Sequence, residues 1–231
     1  MSHYRHVFFD LDHTLWDFEK NSAETLLDLY HLFHLKQQGM DNPHDFISRY
    51  HHHNAIFWSL FHRNLISRET LRLVRFEKTL EEFNIRDPDL PAKLSEKYIE
   101  LLPYKTNLFD DTLEILDYLF PQYTLHLITN GFHEVQQKKL DHSGLRKYFR
   151  EIITSEVAGA QKPAREIFRF ALSRSGATLR NSIFIGDSLE ADVEGARNAG
   201  MDYVFYNPAG TPHGQQMMHE IRALRELRNI L

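Results

Sequence analysis

Five short apolar runs, the last four spaced by helical stretches, constrain this chain more than any other feature. They are "HVFFD" (6–10), "TLHLIT" (124–129), "EIIT" (151–154), "SIFIGD" (182–187) and "DYVFY" (202–206). Each is compact, nearly unbroken and rich in aromatic or β-branched residues, as strands buried on both faces are. Helical patterns over 133–143, 163–175 and 188–199 separate the last four. That alternation predicts right-handed crossovers and an α/β fold, a parallel sheet covered by helices on both faces. Gly144, Gly176 and Gly200 stand where helices end, and Pro163 suits a first helical turn.

Between the first strand and the second lie more than a hundred residues without a comparable strand. Leu73, Phe76, Leu80 and Phe83 step by three, four and three, which draws one apolar helical stripe. Phe46, Tyr50, Phe57 and Phe61 draw another, and Asn42-Pro43, Ser67 and Asp87-Pro88 mark breaks or caps. A connection this long is not a loop. The expectation is a helical insertion over 17–100, with 1–16 and 101–231 forming the α/β core.

Composition narrows the function. A net charge of −5 disfavours a nucleic-acid-binding face. Zero cysteines excludes disulfides, thiolate metal sites and thiol nucleophiles. No run approaches the ~20 apolar residues of a membrane span, and the N-terminus lacks a signal-peptide pattern. A soluble cytoplasmic protein is expected, with a small molecule as its partner and neither nucleic acid nor membrane.

In parallel α/β sheets, ligands bind beyond the carboxyl ends of the strands. The first strand delivers Asp10 and Asp12 there, two carboxylates on one side of an extended backbone. The second delivers Thr129, Asn130 and Gly131, and the third leads to Lys162-Pro163. The fourth delivers Asp187 and Ser188, with Asp192 five residues beyond Asp187. Repelling acids beside a hydroxyl and an ammonium make sense around a hard cation and a phosphate. Mg²⁺ takes a few carboxylates plus waters and phosphate oxygens. Asp10 and Asp187 offer carboxylates and Asp12 its backbone carbonyl, while Thr129 and Lys162 suit the phosphoryl oxygens.

These stretches resemble the motifs of the haloacid dehalogenase superfamily of phosphohydrolases. "DLDHT" is similar to its first motif, "ITN" to its second, Lys162-Pro163 to its third and "GDSLEADVEGARNAG" to its fourth. The helical interval is similar to that family's cap, inserted after strand one of a Rossmann-like core. The resemblance implies that Asp10 attacks phosphorus and becomes an aspartyl phosphate, and that Asp12 protonates the leaving oxygen and then activates water. It further implies that Thr129, Asn130 and Lys162 bind phosphate, with the Leu11 and Asn130 N–H groups in the cradle. Mg²⁺ falls to Asp10, Asp12 and Asp187, supported by Asp192 and Ser188. An acid at position 12 points to phosphate esters, because a departing halide needs no proton. "ITNGF" and "EVQQKKLDHSGLRKYF" resemble the pyrimidine 5′-nucleotidase group. A sugar phosphomutase and a sugar-phosphate or phosphoglycolate phosphatase stay open as alternatives, and more distantly a phospho-accepting receiver.

His13, Gly131 and Phe132 are candidate substrate contacts. The run His51-His52-His53 invites a metal reading, yet consecutive helical residues fan around the axis and do not face one ion together.

Overall fold

A computed structural model describes residues 3–231. Strand β1 (His6–Phe9) is followed by α1 (Phe18–Leu32), α2 (Pro43–His62), α3 (Arg68–Glu81) and α4 (Leu90–Leu101). The chain continues through α5 (Thr112–Leu119), β2 (Thr124–Thr129), α6 (His133–His142), β3 (Phe149–Thr154) and the single turn α7 (Ser155–Ala158). Then come α8 (Arg165–Ser175), β4 (Ser182–Gly186), α9 (Glu194–Ala199), β5 (Asp202–Tyr206) and β6 (His219–Ile221). Two compact units result. One runs up to Phe18 and resumes over Thr106–Leu231; the other is Glu19–Lys105.

The first unit is a parallel sheet in the order β3-β2-β1-β4-β5-β6. Strand β1 lies inside it, with Phe9 level with Leu127 of β2 and Ile185 of β4. From β1 the chain runs outward to β2 and β3, then returns to β4 on the other side of β1, which makes this the topological switch point, where α/β sheets open a crevice. Alternation supplies both faces. Phe8, Ile128, Ile153, Phe184 and Phe205 join Ile167, Phe168 and Ala171 of α8 and Ala196 of α9 in one apolar cluster. Val7, Phe9, Leu125, Leu127, Ile183 and Ile185, one residue out of phase, are equally buried. That double burial is why these strands read as apolar runs rather than alternating ones.

Elements depart from expectation in three places. The pattern expects a helix from 163, but α8 begins at Arg165. The helix expected over 188–199 opens as a wide π turn over Leu189–Val193 before α9 takes over. Strand β6, three residues at the sheet edge, carries too little pattern to be recognised.

In the second unit the caps are those expected. Asn42 Oδ1 accepts the His44 N–H at 3.0 Å, Ser67 Oγ accepts that of Thr70 at 3.2 Å, and Asp87 Oδ1 accepts those of Asp89 and Leu90 at 2.9 and 3.2 Å. The buried stripe of α3 is rotated from the expected one. Leu71, Arg75, Phe76, Thr79 and Leu80 are buried, while Leu73 and Phe83 are half-buried. Arg75 is accommodated because its guanidinium donates to Asn54 Oδ1 at 2.6 Å and the Leu71 carbonyl at 2.9 Å, and lies over the Tyr50 and Tyr98 rings. The three histidines diverge as the helical geometry requires. His51 meets Glu19 and Ser22, His53 meets Glu82, and His52 is exposed.

Candidate active site

The carboxyl ends of β1, β2 and β4 bring the acids and Lys162 together. Asp10 is fixed by its N–H, which continues the ladder to the Ile185 carbonyl at 2.9 Å. Lys162 Nζ donates to Asp10 Oδ1 at 2.7 Å and to Asp192 Oδ1 at 2.6 Å, with its side chain only 3% exposed. Asn130 aims that lysine: its Oδ1 accepts the Lys162 N–H at 2.8 Å and its Nδ2 donates to the Lys162 carbonyl at 3.0 Å. The Asn130 side chain is therefore a clamp on the lysine backbone, which leaves only its own N–H for a phosphate.

At the end of β4 the π turn sets Asp192. Its Oδ2 accepts the Ser188 N–H at 2.9 Å, and Ser188 Oγ accepts the Ala191 N–H at 3.1 Å. A Cβ on Gly186 would lie 2.4 Å from the Asp192 carboxyl carbon, so only glycine leaves room for this arrangement. Asp187 accepts the Thr14 hydroxyl at 3.0 Å, a contact across the switch point. Thr129 Oγ1 accepts the Gly131 N–H at 3.1 Å and the Gln136 amide at 2.7 Å. With donors occupying its lone pairs, the Thr129 hydroxyl proton is left for an outside acceptor.

Asp12 stands apart from the other acids. Its Oδ1 accepts Lys139 Nζ at 2.5 Å and its Oδ2 accepts Gln136 Nε2 at 2.8 Å. Lys139 also lies 4.0 Å from the centre of the Trp16 ring. His13 takes a left-handed turn conformation (φ 64°) beside the Phe18 ring, and Phe132 is the buried N-cap residue of α6.

Carboxylate oxygens of Asp10, Asp187 and Asp192 lie within 4.8 Å of one another. Burial, with the Asp192 and Asp187 charges added, raises the Asp10 carboxyl well above the usual range although Lys162 pulls it down. Burial followed by the Asp192 charge raises Asp187 as well. Burial alone would lower Lys162, but Asp10 and Asp192 reverse this and raise it. Were all four carboxylates ionised, they would face two ammonium groups, Lys139 and Lys162. The excess of two negative charges and the all-oxygen donor set fit one hard dication such as Mg²⁺. Asp10 and Asp187 have carboxylate oxygen to offer it. The Asp12 carboxylate, expected near the metal only through its backbone carbonyl, is turned to α6.

A family model for haloacid dehalogenase-like hydrolases matches residues 4–200. The chain is a haloacid dehalogenase-like hydrolase. YfnB of Bacillus subtilis, itself named as a HAD-hydrolase, is 32% identical over 100% of this chain and 97% of its own. Its crystal form bound to magnesium superposes with a TM-score of 0.87, covering 98% of each chain. The pyrimidine 5′-nucleotidase PynA of Streptococcus pneumoniae is 31% identical over 89% of this chain and 84% of its own. The pyrimidine 5′-nucleotidase YjjG of Escherichia coli is 29% identical over 97% and 96%. With these relatives, this hydrolase is a phosphatase of phosphoric monoesters.

Sequence reasoning missed three residues of the hydrolase's site. Thr14 is the last letter of "DLDHT" and was available there. Gln136 and Lys139 lie three apart on α6, hence on one face. Their signal is two polar residues among the buried positions Val135, Gln136, Lys139 and Leu140. Reading it needs the face of α6 to be known, because "QQKK" offers two of each residue to choose from.

Proposed function

We propose that this phosphatase is Mg²⁺-dependent, works through an aspartyl phosphate on Asp10, and takes pyrimidine nucleoside 5′-monophosphates as substrates. The observation that carries the substrate is the near full-length similarity to two proteins named pyrimidine 5′-nucleotidases. Mg²⁺ is supported by the two-charge excess at the site and by the magnesium bound to YfnB. Asp10, Asp187 and the Asp12 carbonyl would hold the ion, whose chemistry there is to offset charge on Asp10 and the substrate phosphate.

An oxygen of Asp10 attacks phosphorus opposite the ester oxygen. The P–O ester bond breaks as Asp12 gives its proton to the departing alkoxide, and the nucleoside leaves. Thr129 donates its free proton, and Lys162 its charge, to phosphoryl oxygens as negative charge spreads over them. Asp12, now ionised, takes a proton from water; the resulting hydroxide attacks the acyl phosphate. Asp10 departs as carboxylate with inorganic phosphate, and Asp12 is again protonated. We further propose that the helical unit Glu19–Lys105 is the cap.

The test is a panel of metabolite phosphates assayed with Mg²⁺: uridine, thymidine and halogenated pyrimidine monophosphates against sugar phosphates and phosphoglycolate. The expected result is kcat/KM at least about tenfold higher for the pyrimidine nucleotides, a preference of ~1.4 kcal/mol. A sugar phosphate at the top of the panel would overturn the substrate. Full activity in Asp10→Asn would overturn the nucleophile.

A further inference from the structure

We propose that Gln136 and Lys139 are positioning residues that hold the Asp12 carboxylate on the leaving-group oxygen and stabilise the charge it acquires when it releases its proton. The inference rests on the acid–base role given to Asp12 above and adds the residues through which that role is exercised.

The argument begins with what Lys139 costs. Its side chain is 3% exposed, so a charged ammonium has been taken out of water, and its Nζ lies 2.5 Å from Asp12 Oδ1. An apolar side chain in a buried ion pair's place is often no less stable. Here the ammonium meets one carboxylate, Asp12, and otherwise the faces of Trp16 and Phe18 at 4.0 and 5.6 Å. Such an ion pair gives the fold little that an apolar pair would not, so its use lies in fixing Asp12. The aromatic faces stop it from swinging away.

Gln136 completes the hold from the other side. Its Nε2 donates to Asp12 Oδ2 at 2.8 Å and to Thr129 Oγ1 at 2.7 Å, which ties the acid to the hydroxyl that faces the phosphoryl group. One donor on each carboxylate oxygen fixes the plane of the group. Each oxygen keeps a second lone pair for the proton in transit. When that proton moves to the leaving oxygen, the new negative charge appears where an ammonium and an amide already point. Donors that need not reorganise are the kind that lower a barrier.

Gly131 shows how closely the amide is seated. A Cβ at that position would lie 2.2 Å from Gln136 Nε2 and 2.5 Å from its amide carbon. The backbone there has an ordinary φ, so what a side chain at 131 would disturb is the seat of the Gln136 amide. This gives the glycine of "TNG" a role beside the substrate contact expected for it.

The experiment compares kcat/KM for two substrates with Mg²⁺ present: the best alkyl phosphate of the panel, and 2,4-dinitrophenyl phosphate, whose leaving group departs without a proton. kcat/KM reports the first chemical step, so slower hydrolysis of the aspartyl phosphate does not mask the comparison. For Gln136→Leu and Lys139→Met we expect about a 100-fold loss with the alkyl phosphate and less than about threefold with the dinitrophenyl ester. Gly131→Ala, which only pushes the amide aside, should show the same selectivity and covers the case in which a buried variant fails to fold. Equal losses on both substrates, or none on the alkyl phosphate, would overturn the proposal. Asp12→Asn separates it from the reading beneath it. If Asp12→Asn is selective and the other variants are not, positioning alone falls; if Asp12→Asn is not selective either, the acid–base role falls and takes positioning with it.

Discussion

Lys162 bridges two buried carboxylates of the site, because its ammonium lies between Asp10 and Asp192. Lys162→Met leaves those carboxylates facing each other. Removing one partner of a buried ion pair costs about 3–5 kcal/mol. The expected outcome is a loss of that size in urea unfolding of the metal-free protein, partly restored by Mg²⁺, and a fall in kcat of at least about 100-fold. At this scale legibility followed the chain. Asp10, Asp12, Lys162, Asp187 and Asp192 were readable because each follows a strand or opens a helix, where backbone direction fixes side-chain direction. The Asn130 N–H is expected at the phosphate; what spacing does not show is that its side chain holds the backbone of Lys162, thirty-two residues away. Thr14 and Gln136 act through tertiary contacts that spacing does not encode.

Among elements, β2 holds an ionisable group that pattern reading treats as one more member of an apolar run. His126 is fully buried between Phe8 and His6, with its Nε2 3.1 Å from His6 Nδ1. Burial, then the neighbouring His6 and the Arg150 charge, lowers its pKa to about 3. Burial lowers His6 too, with Arg150 and Arg5 adding to the effect. The unfolded chain therefore takes up the His126 proton near pH ~6.5 while the folded one refuses it. Stability from this residue is whole above that pH and declines as pH falls towards 3. His126→Phe keeps the ring stack and removes the titration. Between pH 6 and 5, the wild type should lose about 1.2 kcal/mol more unfolding free energy than the variant. Parallel slopes in urea titrations would refute this. The π turn after β4, like the short β6, is not legible in the sequence. Its extra residue brings the Asp192 and Val193 N–H groups both onto the Ser188 carbonyl at 3.0 Å, a winding that helix periodicity does not anticipate.

For the molecule as a whole, the α/β reading came through because burial on both sheet faces writes itself as unbroken apolar runs. The helical unit was harder to read in detail, since its stripes are interrupted by buried Arg75 and Asn54. The site's charge excess is also a property of the whole fold. Packing Asp10, Asp187 and Asp192 together costs stability until a cation arrives. Asp187→Asn should raise the thermal midpoint of the metal-free protein while lowering turnover. In the wild type, Mg²⁺ at 100 times its dissociation constant should add about 2.7 kcal/mol. A smaller Mg²⁺ shift in Asp187→Asn completes the expected pattern, and an unchanged shift would contradict it.

The position of β1 within the sheet also bears on how the protein is made. Its neighbours, β2 and β4, are contributed by residues from 124 and 182 onwards, so this strand emerges before both and waits for its partners. The intervening helices rely on nearer contacts and are free to collapse early, whereas closing the sheet demands long loops and is slow. Until that closure the segment Val7-Phe8-Phe9 travels uncovered, the stretch of this polypeptide most exposed to sticking to a neighbour during synthesis.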